Sequence, residues 1–409
     1  RMRGKNHRML QHDAWKPLLN RSIMGLYPPG STFKTSQALT YLTEGVITPS
    51  TAFPCHRGFY HRGLHVGCHS HSSPIALVDA ISTSCNGYFC WGLYYMMGNR
   101  RKYHSVQDAM TTWRDYMVSM GFGYKLGIDL PGEKRGMIPN AEYYDRNYRG
   151  SWNGLTIISI SIGQGEVTLT PLQIANLGAT IANRGYYYAP HVVRKVSGEP
   201  LDTAYTRRHV TKASRRAYDY VVAGMRSSAL KGTCKHLAHY DFEACGKTGT
   251  AQNRGHDHSV FMGFAPINDP KIAICVYVEN GGWGADYGVP IGGLMMEQYL
   301  HGKLSPASEA QAAEMQKRRI GYGQRYANQP VKGKKGRKAA AKAAADSAAA
   351  AKKAATLAAA KQKAELKAKQ QADLKAKQKG KKGAKNKNNE AQRGKGIVPI
   401  TIENHQGRR

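Results

Sequence analysis

Gly25-Leu26-Tyr27-Pro28-Pro29-Gly30-Ser31-Thr32-Phe33-Lys34 ends an extended approach at Pro29-Gly30 and opens a helix. Residues 31–45 are expected to be helical, with Phe33, Ala38, Leu39 and Leu42 roughly on one face. Ser31 then sits at a helix N-terminus, and Lys34 shares its face one turn later. A serine hydroxyl is a weak nucleophile and needs an adjacent base. A partly buried lysine can supply one, because desolvation lowers its pKa. The helix N-terminus also turns backbone N–H groups toward the site, where an oxyanion can bind. Ser-x-x-Lys alone is common by chance, so the stretch needs company.

Two further motifs supply it. Ser84-Cys85-Asn86 follows 53 residues after Ser31 and places a hydroxyl and an amide at i, i+2. From a loop between helices, both can face a cleft, Ser84 to relay a proton and Asn86 to hold a substrate amide. Lys247-Thr248-Gly249-Thr250 begins 163 residues after Ser84. On a strand it offers a cation, two hydroxyls and, at Gly249, room for a substrate backbone. Such an edge can bind an extended peptide by strand addition and hold its carboxylate. The Thr250 backbone N–H can complete an oxyanion hole.

Ser-x-x-Lys, Ser-Asp-Asn and Lys-Thr-Gly mark class A β-lactamases and penicillin-binding proteins, and this chain has them in that order with Cys85 inside the second. The chain resembles the transpeptidase domain of class B penicillin-binding proteins, the elongation-type members above all, from about Met9 to Gly302. The resemblance also rests on Asn20-Arg21-Ser22, Gly87-Tyr88-Phe89, Gly127-Ile128-Asp129-Leu130-Pro131-Gly132-Glu133 and Gly163-Gln164-Gly165. Thr170-Pro171-Leu172-Gln173, Gly246, Ala251-Gln252 and Phe264-Ala265-Pro266 complete it. It implies a serine D,D-peptidase or β-lactamase-like fold. It implies peptidoglycan D,D-transpeptidation, with Ser31 acylated by the stem peptide, Lys34 taking its proton and Ser84 passing one to the leaving D-Ala. Asn86 would align the donor, and Lys247, Thr248, Gly249 and Thr250 would hold the terminal carboxylate. β-Lactams would trap Ser31. The partners implied are stem peptides, a membrane glycan polymerase and the rod-shape scaffold, at the extracytoplasmic face of the inner membrane. No cofactor is required. Such proteins usually carry a membrane helix and a pedestal domain before this region, so the chain is expected to be truncated. A D,D-carboxypeptidase or β-lactamase, or a non-turnover β-lactam sensor, would use the same serine. Glu166, after the Gly-Gln-Gly segment, is expected to be structural and not a deacylating base.

The fold class expected is α+β, an antiparallel sheet flanked by helices. Strands are expected at 242–251, 259–265 and 271–279, with Ile272–Val278, a nearly continuous apolar run, as the central one. Residues 1–20 are expected to be a polar approach segment, 49–74 a structured loop and 75–98 a second helix. Another helix should open at Thr170-Pro171 and close near Gly185, and a last one should end near Leu300. No run of about 18 apolar residues occurs, also none behind Arg1-Met2-Arg3-Gly4-Lys5, so neither a membrane helix nor a signal peptide is expected within the chain.

Lys+Arg outnumber Asp+Glu by 60 to 27 in 409 residues, a net of +33. That balance suggests nucleic acid, but its distribution does not. Residues 303–409 hold 28 Lys+Arg against 7 Asp+Glu, which is +21 of the +33. The expected division is a transpeptidase domain over 1–302 and a basic, mostly disordered tail over 303–409. From 332 to 396 the tail is Lys/Ala/Gln-rich without interleaved aromatics, so base stacking is not expected.

The seven cysteines are not a disulfide scaffold. Cys55-His56 and Cys68-His69-Ser70-His71 sit between the first two motifs, with Cys85 inside the second. Three arrangements remain open. One is a Cys55–Cys68 disulfide, which suits an extracytoplasmic enzyme. The second is a structural zinc on Cys55, Cys68 and His71 with His69 or Cys85 as fourth ligand. The third leaves the thiols unlinked.

Overall fold

Cys245–Ala251, His258–Ala265 and Ile272–Val278 form an antiparallel sheet in that order. The register places Lys247 opposite Met262 and Met262 opposite Cys275. The central strand is therefore His258–Ala265, buried along its whole length, and not Ile272–Val278 as expected. Both strands are apolar runs, and only the tertiary cover decides which lies inside. Helix Gly288–His301 packs on one face through Val289 and Met296, against Phe261, Ala265, Ile274 and Val276. The other face presents Met262, Phe264, Ala273, Cys275 and Tyr277 to the main core and to helix Pro171–Ala182. Cover on both faces explains apolar runs without alternation. The molecule is α+β, with an antiparallel sheet between helices, as computed in a structural model that describes residues 2–13, 16–253 and 256–320.

Helix Lys34–Thr43 runs through the main core and is buried on every side over Lys34–Tyr41, so its expected single apolar face does not hold. Its polar side chains are satisfied inside. Thr35, Ser36 and Thr40 hydroxyls donate to carbonyls one turn back. Gln37 donates to Ile160 O at 3.0 Å and accepts from Trp113 Nε1 at 2.8 Å. Helix Pro171–Ala182 opens with a reciprocal cap: Gln173 N–H donates to Thr170 Oγ1 at 3.2 Å, and Thr170 N–H to Gln173 Oε1 at 3.0 Å. It closes at Ala182, three residues before Gly185, with Arg184 in the left-handed region at φ +58°.

Three expected elements are subdivided. Within 1–20, Met2–His12 is an exposed helix, because Arg, Lys, Met, Leu and Gln are good helix formers. Within 49–74 lies a hairpin, Gly58–His61 with Leu64–Gly67, turned through Arg62 and Gly63, both at positive φ. The helix expected over 75–98 breaks into Leu77–Ser82 and Asn86–Gly98, because Ser84 takes φ +61°. Beyond the boundary expected at 302, Pro306–Lys317 forms a further helix capped by Ser305. The Lys/Ala-rich segment 332–396 lies outside the described residues. No helix among the described residues is long and apolar enough to cross a membrane.

Candidate active site

The Gly30–Phe33 3₁₀ turn delivers Ser31 to a cleft of about 210 Å³. Gly30 is at φ +55°, its N–H donates to Gly163 O at 3.0 Å, and a Cβ there would lie 2.8 Å from Thr250 O. Only glycine fits between these two backbones. Ser31, Ser84, Asn86, Thr248 and Thr250 all line the cleft, so one residue or more from each motif meets there.

Lys34 is fully buried beneath the cleft floor. Its Nζ donates to Ser84 O at 2.6 Å, to Ser84 Oγ at 3.2 Å and to Asn86 Oδ1 at 2.6 Å. Burial pushes its ammonium down to about 8, while the charge of Cys85 and Cys68 pulls the other way. Ser84 holds its position through a left-handed backbone that a serine adopts at a cost, a strain found at functional sites. Asn86 is the first residue of its helix, and its Nδ2 donates to Gly67 O at 2.7 Å, tying the helix to the Gly58–Gly67 hairpin.

Strand alternation divides the third motif. Thr248 and Thr250 face the cleft, whereas Lys247 is fully buried and Gly249 lies against Pro29 O and Thr32. Lys247 Nζ donates to Thr248 O at 3.1 Å. Burial, and then the like charge of Lys34, hold its pKa well below the ordinary lysine value. Several lining residues carried no motif: Thr233, whose hydroxyl accepts from Thr248 Oγ1 at 2.7 Å, and Trp283, which is 65% exposed. Gln164, inside the Gly-Gln-Gly segment, donates to Thr250 O at 3.3 Å. Glu166 instead points to Tyr144, whose hydroxyl donates to it at 2.9 Å. A larger cavity of about 630 Å³ lies at the far end of helix Asn86–Gly98 and contains no residue of the three motifs, so size does not mark the chemistry here.

Cys55, Cys68, His71 and Cys85 bring their ligand atoms within 4.8 Å of one another. Tetrahedral zinc with Zn–S of 2.3 Å needs sulfurs about 3.8 Å apart, so the three sulfurs and one nitrogen fit that ion. His71 Nδ1 pairs with Ser72 O at 2.7 Å, which leaves Nε2 for the cluster, 3.5 Å from Cys68 Sγ. His69 turns away to Thr83 O, and Cys85 stands in the group of four that could hold an ion. All seven cysteines are free in the structure, Cys55 and Cys68 among them. Cys68 accepts from the Asn86 N–H at 3.2 Å and is drawn to Cys85, whose hydrogen bond lowers the Cys68 pKa. The cluster thus includes the middle of the Ser84–Asn86 segment through Cys85 and touches its end through Cys68.

The penicillin binding protein transpeptidase domain family matches residues 2–297. Peptidoglycan D,D-transpeptidase MrdA of Acinetobacter baumannii is 34% identical over 309 residues, which cover 68% of this chain and 43% of that protein. The structure of Pseudomonas aeruginosa PBP2 in complex with WCK 5153 has a TM-score of 0.64 and 30% identity, over 74% of this chain and 66% of that one. A complex between PBP2 and MreC from Helicobacter pylori gives 0.58 and 26%, over 73% and 54%. The chain spans about half the length of the curated relatives it matches. A match over most of the chain, carried by three motifs that meet in one cleft, is decisive: the chain belongs to the penicillin-binding protein transpeptidase family, among its class B members similar to PBP2.

Proposed function

We propose that this chain catalyses peptidoglycan D,D-transpeptidation through an acyl-enzyme on Ser31. The observation that carries this is the meeting of Ser31, Ser84, Asn86, Thr248 and Thr250 around a buried Lys34. Lys34 takes the Ser31 proton as the hydroxyl attacks the D-Ala–D-Ala amide, and the backbone N–H groups of Ser31 and Thr250 receive the oxyanion. Each such donor contributes about 3 kcal/mol to the transition state. Lys34 already donates to Ser84 Oγ, which supports Ser84 as the relay that protonates the departing D-Ala. Asn86 aligns the acyl donor. Thr248 and Thr250 hold the terminal carboxylate directly, and Lys247 contributes its charge from behind the strand while Gly249 gives the strand its close approach. An amine from a second stem peptide then attacks the ester, the cross-link forms and Ser31 regains its proton. β-Lactams acylate the same oxygen.

No cofactor takes part in these steps. A structural zinc on Cys55, Cys68, His71 and Cys85 would pin the hairpin to the Ser84–Asn86 segment. The PBP2–MreC complex supports the rod-shape complex as a partner. A structure described as coordinating polymerization and crosslinking in a peptidoglycan synthase complex supports a glycan polymerase as another. Both partners fit work at the extracytoplasmic face of the inner membrane. Purified lipid-linked, polymerised substrate tests the proposal. Cross-linked dimers are expected. Release of D-Ala without dimers would make the chain a carboxypeptidase, rapid cephalosporin turnover a β-lactamase, and acylation without either product a sensor. The engagement of Glu166 by Tyr144 argues against the second of these.

A further inference from the structure

Away from the active-site cleft, a cavity of about 260 Å³ opens between helix Val106–Ser119 and the segment that leads into helix Ala141–Tyr148. Arg114, Arg135 and Arg146 line it, with Asn140 and Tyr143, and no acidic residue does. Among the described residues none of the three guanidinium groups has an ion pair. Arg114 carries the sharper signal. Its Nε is buried with no hydrogen-bond acceptor among the described residues, and its guanidinium carbon lies 6.0 Å from the Tyr124 ring. A buried, unanswered donor on a charged group is rare and asks for a partner.

The nearby acids do not answer it. Asp145 accepts from Trp152 Nε1 at 2.6 Å and from Gln107 Nε2 at 3.0 Å. Glu133 accepts the N–H groups of Leu126 and Gly127 at 2.6 and 3.0 Å. Asp115 pairs with Lys212 at 2.6 Å, and Glu142 is exposed and outside the lining. At the helix N-terminus Asn140 Oδ1 already accepts from Tyr143 N–H at 2.9 Å. The site is therefore built by side chains.

We propose that this cavity binds a phosphoryl group, carried by a phospholipid head group or by free phosphate or pyrophosphate. Three converging guanidinium groups offer planar donor forks to an ion with three or more oxygens and up to two charges, whereas one fork already saturates a carboxylate. The volume is below the range of about 300–1,000 Å³ that drug-sized ligands occupy, so it suits a head group and not a glycan strand.

The test uses the full chain and titrates sodium pyrophosphate against sodium chloride at matched ionic strength, by calorimetry and by thermal melting. Saturable binding is expected with pyrophosphate only. Arg135→Gln and Arg146→Gln are exposed positions that should fold, and each should weaken binding about tenfold, the worth of one charge-assisted hydrogen bond. Arg114→Gln should abolish it. A control with Lys332→Gln and Lys334→Gln removes the same charge as Arg135→Gln with Arg146→Gln, from elsewhere in the sequence, and should leave binding unchanged. Vesicles of phosphatidylglycerol, against phosphatidylcholine, separate the sources. Vesicle binding that falls in the arginine variants identifies a head group, and pyrophosphate binding alone identifies free phosphate. Pyrophosphate binding that chloride reproduces, that survives Arg135→Gln with Arg146→Gln, or that the lysine control weakens equally would overturn the proposal.

Discussion

Gly30→Ala isolates how the fold serves the acylation step. Gly30 is at φ +55°, and an added Cβ would lie 2.8 Å from Thr250 O and 3.0 Å from Thr250 C. Both are backbone atoms of the strand whose N–H is proposed to receive the oxyanion, so relief requires the strand to move by a few tenths of an ångström. The left-handed backbone alone costs an alanine roughly 1–2 kcal/mol. Gly45→Ala is the matched control: its φ is +68°, with nothing within 4 Å of its Cβ. Both variants should lose similar backbone stability, about 2–4 °C in Tm per kcal/mol for a domain of this size. Only Gly30→Ala should also displace the oxyanion donor, and second-order acylation by a fluorescent penicillin should fall about tenfold to hundredfold. Stopped-flow labelling with parallel melting curves measures both. Equal acylation rates in Gly30→Ala, Gly45→Ala and the parent protein would refute the reasoning.

Three further outcomes are expected. Glu44 is half-buried, and although burial raises its pKa, hydrogen bonds from Lys102, Tyr103 and Tyr116 hold it below the ordinary carboxylate value. Its folded pKa is depressed, so its stabilisation is present above the ordinary carboxylate range and fades as pH falls through the folded pKa. Glu44→Gln should cost about 1–3 kcal/mol in denaturant titrations at pH 7 and clearly less near pH 4. Gln173→Ala removes the reciprocal cap and the donor that serves Gly121, Tyr124 and Arg135 carbonyls, and chemical denaturation should show a loss of about 2–4 kcal/mol. Elemental analysis should find one zinc per chain, and Cys68→Ser or chelation should lower both the zinc content and Tm. Unchanged melting after complete chelation would contradict a structural ion.

The motifs were legible as three short patterns in a fixed order, and Ser31, Ser84, Asn86, Thr248 and Thr250 line one cleft with Lys34 buried against Ser84 and Asn86. The strands were legible as strands, but their order was not. His258–Ala265 and Ile272–Val278 share the same apolar character, and what distinguishes them is pairing partners far away in sequence. The buried character of helix Lys34–Thr43 was hidden by Thr, Ser and Gln, whose carbonyl partners only the fold supplies. The break at Ser84 had no glycine to announce it, because the left-handed residue is a serine that lines the cleft. Thr233 and Trp283 reach the cleft from segments with no signature. The sequence could not separate Cys85 from His69 beside the cluster, because what turns the His69 imidazole away is a single carbonyl, Thr83 O.

Intact-mass analysis after exposure to benzylpenicillin, followed by peptide mapping, tests the central claim most directly. The account predicts one covalent adduct per chain, on the peptide that contains Ser31, and none in Ser31→Ala. An adduct of the same mass in Ser31→Ala, or on a peptide without Ser31, would contradict it.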